Sequence, residues 1–134
     1  MYDKIILALS LEHGFAAQAL ETAHRLGRGH AEIIAVHVYV PPSASVSTYL
    51  DEDLVRKAYE DAKRELISRV AAAQDVKTVM LKCHSSRTIT EYAAEIGADA
   101  IIVGSHKPGL SDYFLGTTAA RVVRHAPCAV VVLR

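Results

Sequence analysis

The sequence predicts an α/β protein built on a doubly wound parallel sheet. Five short apolar runs punctuate the chain, and most are near-continuous rather than alternating, as parallel strands covered on both faces require. Between the runs lie stretches with apolar residues at helical spacing, so strand and helix alternate from one end to the other. Parallel strands joined by helices need right-handed crossovers, which place helices on both faces of the sheet.

The elements follow in order. Ile5 to Leu9 is the first strand. Phe15, Ala16, Ala19, Leu20, Ala23 and Leu26 form one face of a helix, with Gly27 as its expected stop. Ile33 to Val38 is the second strand. Pro41 to Thr48 is the one low-complexity stretch, a surface loop leaving the carboxyl end of that strand; it reads either as a lid or as a plain connection. Val55, Ala58, Tyr59, Ala62, Leu66 and Val70 line a second helix, whose other face, from Asp51 to Arg69, mixes both signs of charge and reads as solvated. Val76 to Leu81 is the third strand. A third helix carries Ile89, Tyr92, Ala93 and Ile96, with Thr88 and Glu91 spaced as a capping box and Gly97 as the stop. Ala100 to Val103 is the fourth strand. Leu115, Ala119, Val122 and Ala126 mark a fourth helix ending before Pro127, and Ala129 to Leu133 is the last strand.

Composition narrows the class. A length of 134 residues fits one domain, residues 1–134, with a full core and no need of staples. Fifteen basic and fifteen acidic residues cancel, which excludes a broad electrostatic footprint for nucleic acid or an anionic membrane. Aromatic residues are 6% with no Trp, which argues against base stacking on single strands. Cys83 and Cys128 form neither a disulfide framework nor a zinc spacing, and two free thiols suit a reducing compartment. No apolar run reaches the ~18 residues of a membrane span, and Met1-Tyr2-Asp3-Lys4 lacks signal-peptide anatomy. The expectation is a cytoplasmic protein without membrane insertion and without a nucleic-acid partner.

Open α/β sheets bind ligands at the carboxyl ends of their strands. Ser10-Leu11-Glu12-His13-Gly14 follows strand one, Tyr39-Val40-Pro41 strand two, and Cys83-His84-Ser85-Ser86-Arg87 strand three. Gly104-Ser105-His106-Lys107-Pro108-Gly109 follows strand four and is the most informative. Gly104 permits close backbone approach at the strand exit. Gly116-Thr117-Thr118 opens the fourth helix, where N–H groups, the helix dipole and two hydroxyls converge into an anion cradle. His106 and Lys107 would add charge toward a polyphosphate. The same residues also read as an ordinary helix cap and turn glycines. Neither a GxxxxGK[ST] loop nor a GxGxxG fingerprint nor a GxSxG elbow is present. A phospho-acceptor site would need acidic residues where Ser10 and Lys82-Cys83 stand. His13, His37, His84 and His106 come from four elements with no i,i+4 pair, which argues against a metal centre. Cys83 and Cys128 read as inert.

Gly104-Ser105-His106-Lys107-Pro108 and the run from Gly116-Thr117-Thr118-Ala119-Ala120 through Pro127-Cys128 to Val132 resemble the C-terminal signature of the universal stress protein family. The resemblance extends over Lys4 to Leu9, Val36-His37-Val38 and Gly97 to Val103, and so over essentially the whole chain. It implies a single-domain, three-layer α/β/α fold, Rossmann-like and similar to adenine-nucleotide α-hydrolases, with strand order 3-2-1-4-5. ATP-binding members carry G-x2-G-x9-G-[ST]. Here Gly104 and Gly116-Thr117 match its ends, Lys107 stands at the second glycine, and the spacing is one residue short. The Ser-His-Lys-Pro variant resembles an ATP-binding branch typified by enterobacterial universal stress protein F. A second departure is Ser10, where such members hold an Asp against the nucleoside.

By family position, Ala8, Leu9 and Ser10 line the adenosine and Val38 faces the adenine. Val103 and Gly104 pass under the ribose, and His106, Lys107, Gly116, Thr117 and Thr118 face the phosphates. The resemblance implies ATP as ligand, with ADP or AMP as alternatives and Mg admissible beside the phosphates. It also implies a homodimer through strand Ala129 to Leu133, with a tetramer left open. Three roles follow for comparison. The first is a nucleotide-dependent regulator in the stress response, acting on an unidentified protein partner. The second is an interaction module without nucleotide, working through the dimer and the Pro41–Thr48 loop on a transporter or kinase, with Ser10 and Lys107 marking a decayed site. The third is an ATPase or nucleotidyl transferase, which the sequence disfavours: no base, nucleophile or Mg-holding carboxylate is evident beside the phosphate loop, so any hydrolysis is expected to be slow.

Overall fold

The first strand is held at its first residues from both sides. Glu32 N–H donates to the Asp3 carbonyl at 2.8 Å and Asp99 N–H donates to the Lys4 carbonyl at 2.8 Å. The Asp99 carboxylate in turn accepts from the backbone N–H of Asp3 (2.8 Å) and Lys4 (3.0 Å), and Lys4 Nζ donates to the Ile96 carbonyl at 2.9 Å. In this computed structural model, which describes residues 2–11, 14–41, 43, 45, 49–82, 87–105 and 115–134, those bonds register the centre of one sheet.

The element order is β1 (Lys4–Ala8), α1 (Ala16–Gly27), β2 (Glu32–Tyr39), α2 (Glu52–Arg69), β3 (Val76–Lys82), α3 (Thr88–Ile96), β4 (Ala100–Gly104), α4 (Thr117–His125) and β5 (Ala129–Leu133). All neighbouring strands are parallel and their order is β3-β2-β1-β4-β5. This is the alternating plan read from the sequence and the strand order implied by the resemblance.

Strand periodicity divides the core into two layers. Ile5, Leu7, Ile33, Ala35, Ala100 and Ile102 pack against Ala19, Leu20 and Ala23 of α1 and Leu66 of α2. Ile6, Ala8, Ile34, Val36, Ile101 and Val103 pack against Ile89 and Ala93 of α3 and Ala119 and Val122 of α4. The central strands β1, β2 and β4 are buried on both faces, which explains their unbroken apolar runs. The edges differ: β3 exposes Lys77 and Lys82, whereas β5 is half-buried along Val130 to Leu133.

Several boundaries move for physical reasons. α1 does not stop at Gly27 but runs through it and reverses at Arg28, whose φ of 51° is left-handed. Gly27 is required by packing instead, because a Cβ there would lie 2.3 Å from that of Ala31. The expected capping box does not form: Thr88 is the first helical residue, Arg87 is the cap, and no side-chain cap bond is made. Gly97 does end α3, with φ 69°. α2 begins on Asp51, whose carboxylate accepts the Asp53 N–H at 2.9 Å. Only Leu66 among α2's helical residues is buried, so the apolar stripe anchors the helix chiefly near its C-terminal end, together with the capping Val70. Leu115 precedes α4 rather than joining it, and Ala126 is extended before Pro127.

Candidate functional site

The chain leaves β1 toward β2 on one side and arrives at β4 on the other. The strand order therefore reverses between β1 and β4, the kind of switch point beside which open α/β sheets form a crevice at their carboxyl ends. Ala8 and Val103 are opposite each other across this seam. Their side chains, with Val38 packed alongside, lie on the face that carries α3 and α4. These three form a small apolar floor.

Leu9 contributes differently. Its side chain is 5% exposed and packs in the opposite layer, against α1. Only its backbone faces the strand exits, and that backbone is fixed: the N–H donates to the Val36 carbonyl at 2.9 Å and the carbonyl accepts from His37 Nδ1 at 3.0 Å. Ser10 follows directly and is half-buried. At the matching exit of β4, a Cβ on Gly104 would lie 2.6 Å from the Phe15 ring, the residue that caps α1.

Ser105 joins the exit of β4 to its neighbours. It is 5% exposed, its N–H donates to the Leu133 carbonyl at 2.8 Å, and its carbonyl accepts the N–H of Gly116. Gly116 is the cap of α4. The Gly116 N–H is thus committed to Ser105, and an anion at this helix start would meet the N–H groups of Thr117, Thr118 and Ala119 instead. No side-chain cap bond and no acidic residue occupies the first turn, so the positive end of the dipole is not neutralised there by the helix's own carboxylates. Both threonines are exposed.

The structure thus brings together Ala8, Ser10, Val103 and Gly104 at the seam. It sets Val38 beside them and hangs Gly116, Thr117 and Thr118 from Ser105. His106 and Lys107 lie outside the described residues, as do His13, His84, Cys83 and most of the Pro41–Thr48 loop. His37 engages a carbonyl through Nδ1 rather than offering that nitrogen to a metal. Among the described residues no group of three or more His, Cys, Asp or Glu side chains assembles. Burial pushes the Cys128 thiol above its ordinary pKa, which disfavours the reactive thiolate. Sequence reasoning takes Phe15 only as a helix-face residue and assigns no role to Ser105. The available signal was Ser105's position as the small polar residue directly after a glycine strand exit. A separate open groove of ≈ 370 Å³, lined by Arg87, Thr90, Glu91, Ala94, His125 and Pro127, shares no residue with this crevice.

A parallel five-stranded sheet with a switch point between β1 and β4, flanked by a glycine-capped helix, defines a doubly wound α/β protein, a class whose ligands bind at the strand carboxyl ends beside such a switch point. The sequence profile described as "Universal stress protein family" matches residues 1–134, and the chain belongs to the universal stress protein family. Universal stress protein G of Escherichia coli O157:H7 is 32% identical over 143 aligned residues that cover 100% of both proteins. Universal stress protein UspA from Lactobacillus plantarum superposes with TM-score 0.72 at 28% identity, covering 99% of this chain and 98% of that one. Two more distant folds were solved with ligands. A universal stress protein in complex with cAMP has TM-score 0.68 and 21% identity, covering 99% of this chain and 97% of that one. One from Archaeoglobus fulgidus in complex with dAMP has TM-score 0.68 and 19% identity, covering 99% and 98%. Among the described residues, no helix is long and apolar enough to cross a membrane.

Proposed function

We propose that this chain binds an adenine nucleotide at the β1/β4 seam and works as a regulatory module in the stress response, through occupancy rather than turnover. The observation that carries the reading is the junction at Ser105. One residue ties β4's exit to the end of β5 and to the glycine cap of α4, which supports the reading that the small apolar floor and the helix N-terminus serve one ligand. A purine ring suits the floor of Ala8, Val38 and Val103, and phosphate oxygens suit the first-turn N–H groups and hydroxyls of Thr117 and Thr118. Ser10 supplies a neutral hydroxyl toward the ribose, where a carboxylate would give a charge-assisted bond; affinity is therefore modest. His106 and Lys107 complete the phosphate side in this reading. The cAMP and dAMP bound by the two distant relatives support an adenine ligand. ATP, ADP and AMP are the candidates, with Mg beside the phosphates.

The proposed assembly is a homodimer through β5. Its sequence from Ala129 to Leu133 carries no charge, while the opposite edge, β3, exposes Lys77 and Lys82. Lysines guard an edge against pairing and β5 has none. The proposed setting is the cytoplasm, with a protein partner reading the occupied state.

Isothermal titration with ATP, ADP, AMP and cAMP tests the ligand. Saturable heat with at least one of them is expected, weakened by Gly116→Val and by Lys107→Ala. No heat from any of the four up to about 1 mM, the concentration matching ~4 kcal/mol of binding, would overturn the reading.

A further inference from the structure

We propose that His37 and Arg69 are positioning residues, which hold the backbone from Leu9 to Leu11 and thereby set where Ser10 presents its hydroxyl. The inference rests on the nucleotide reading of the seam and goes beyond it, since neither residue belongs to the crevice itself.

The geometry is specific. His37 lies on β2, and alternation from Ile33 and Ala35 puts its side chain on the α1/α2 face. Its Nδ1 sits 3.0 Å from the Leu9 carbonyl oxygen. A carbonyl only accepts, so Nδ1 carries the proton. Two residues further on, the Leu11 carbonyl accepts from Arg69 Nη2 at 2.7 Å, and the Arg69 Nε is itself steadied by Glu65 at 2.8 Å. Arg69 is the last residue of α2, 58 positions along the chain from Leu11. Ser10 thus sits between two carbonyls, each pinned by a side chain from a different element.

This arrangement has a direct consequence for binding. A strand exit that serves as a ligand contact must keep its backbone in place, yet beyond Ala8 the β1 ladder pairing has ended. Leu9 keeps one backbone bond, from its N–H to Val36. Its carbonyl and that of Leu11 are held by His37 and Arg69 instead. Arg69 delivers a charged donor to a neutral acceptor, the stronger kind of bond, and from a partly buried position. The two side chains also connect the site to α2, the helix that follows the Pro41–Thr48 loop.

The test uses the full chain with His37→Leu, His37→Asn, Arg69→Met and Arg69→Lys. Asn places an amide N–H close to where the imidazole Nδ1–H stands, and Leu removes the donor. Amide hydrogen exchange across residues 9–11 reads the positioning without any nucleotide. We expect His37→Leu and Arg69→Met each to speed that exchange by about tenfold, the loss of one such bond, with His37→Asn and Arg69→Lys recovering most of it. Calorimetry with the nucleotide that the unsubstituted protein binds should show the same ranking in affinity, at unchanged melting temperature for each conservative pair. Imidazole 15N shifts should place the His37 proton on Nδ1. Exchange across 9–11 within twofold of the unsubstituted protein in both His37→Leu and Arg69→Met overturns the proposal, as does equal behaviour of His37→Asn and His37→Leu. If the unsubstituted protein binds no nucleotide, the ligand reading fails on its own and the exchange data still decide whether these two residues fix the segment.

Discussion

The Phe15 ring occupies the space into which any side chain on Gly104 would grow, with its nearest carbons 2.6 and 2.7 Å from the position of a Cβ. Gly104 is thus a packing glycine before it is anything else: the cap of α1 leans on the exit of β4. Gly104→Ala forces the ring aside in a filled layer, and overpacking of that kind costs ~1–3 kcal/mol. The expected outcome is a lower melting temperature, partly restored in the double variant Gly104→Ala/Phe15→Ala, with a coupling free energy that chemical denaturation of the four proteins measures. Equal melting temperatures with and without Gly104→Ala would remove the packing role and leave the glycine to the ligand.

A second backbone position is strained in a way that a single substitution relieves. Arg28 ends α1 at φ 51°, a region that costs an L-residue roughly 1–2 kcal/mol and a glycine nothing. Its N–H and that of Gly29 return to the carbonyls of Arg25 and His24, so the turn is fixed by the helix end. Arg28→Gly should therefore raise stability, by ~1 kcal/mol or less once the extra chain entropy of glycine is set against the relief. Urea denaturation reads the shift; a decrease in midpoint would mean that the Arg28 side chain contributes more than its backbone costs.

The acid limb of stability is set in part by Asp75. His24 Nε2 lies 2.9 Å from the Asp75 carboxylate and joins α1 to the turn before β3. The hydrogen bond from His24 is the largest of the influences that hold the Asp75 carboxyl below its ordinary pKa. A carboxyl lowered in the folded state contributes stability above its unfolded pKa, and that contribution disappears as pH falls through the folded value. Melting temperatures of the unsubstituted protein and of Asp75→Asn should differ near neutrality and converge as pH drops below the carboxylate range. The pair is exposed, so the difference is small and shrinks with added salt. A gap that keeps widening as pH falls through the carboxylate range would reverse the sign of this argument.

What the sequence disclosed follows from the physics of each element. Residues 5–9, 33–38 and 100–103 read as buried strands because both faces of β1, β2 and β4 are covered, which gives short unbroken apolar runs. The seam was legible because the resemblance to the universal stress protein family implied the strand order, and that order puts the switch point between β1 and β4. Caps were less so: Thr88 and Glu91 have capping-box spacing, but the helix starts one residue earlier than that box needs, and Gly27 looked like a stop because close packing against Ala31 calls for the same residue as a left-handed turn. The contacts of His37, Arg69, Phe15 and Ser105 were invisible for a different reason. Each joins residues 11 to 89 positions apart or depends on a side chain crossing between layers, and no local pattern records such a meeting.

The β5 edge carries the last prediction. Leu133 offers its carbonyl to Ser105 N–H, so its backbone polar groups point toward β4. Backbone groups alternate along a strand, and those of Val130 and Val132 therefore face the open edge. An uncharged strand with open donors and acceptors is stabilised by pairing with a copy of itself about a two-fold axis near Val131, which closes the β5 edge of both protomers and leaves only the lysine-bearing β3 edges. Val131→Lys sets two ammonium groups beside that axis, while its aliphatic stem can lie along the half-buried position and its charge reach solvent. The expected result is a protein that sediments as a monomer with an unchanged far-ultraviolet circular dichroism spectrum. Lys77→Val on the guarded edge β3 should leave the assembly as it was. A Val131→Lys protein that still sediments as a dimer would place the interface elsewhere, and an unsubstituted protein that is monomeric at all concentrations would remove it.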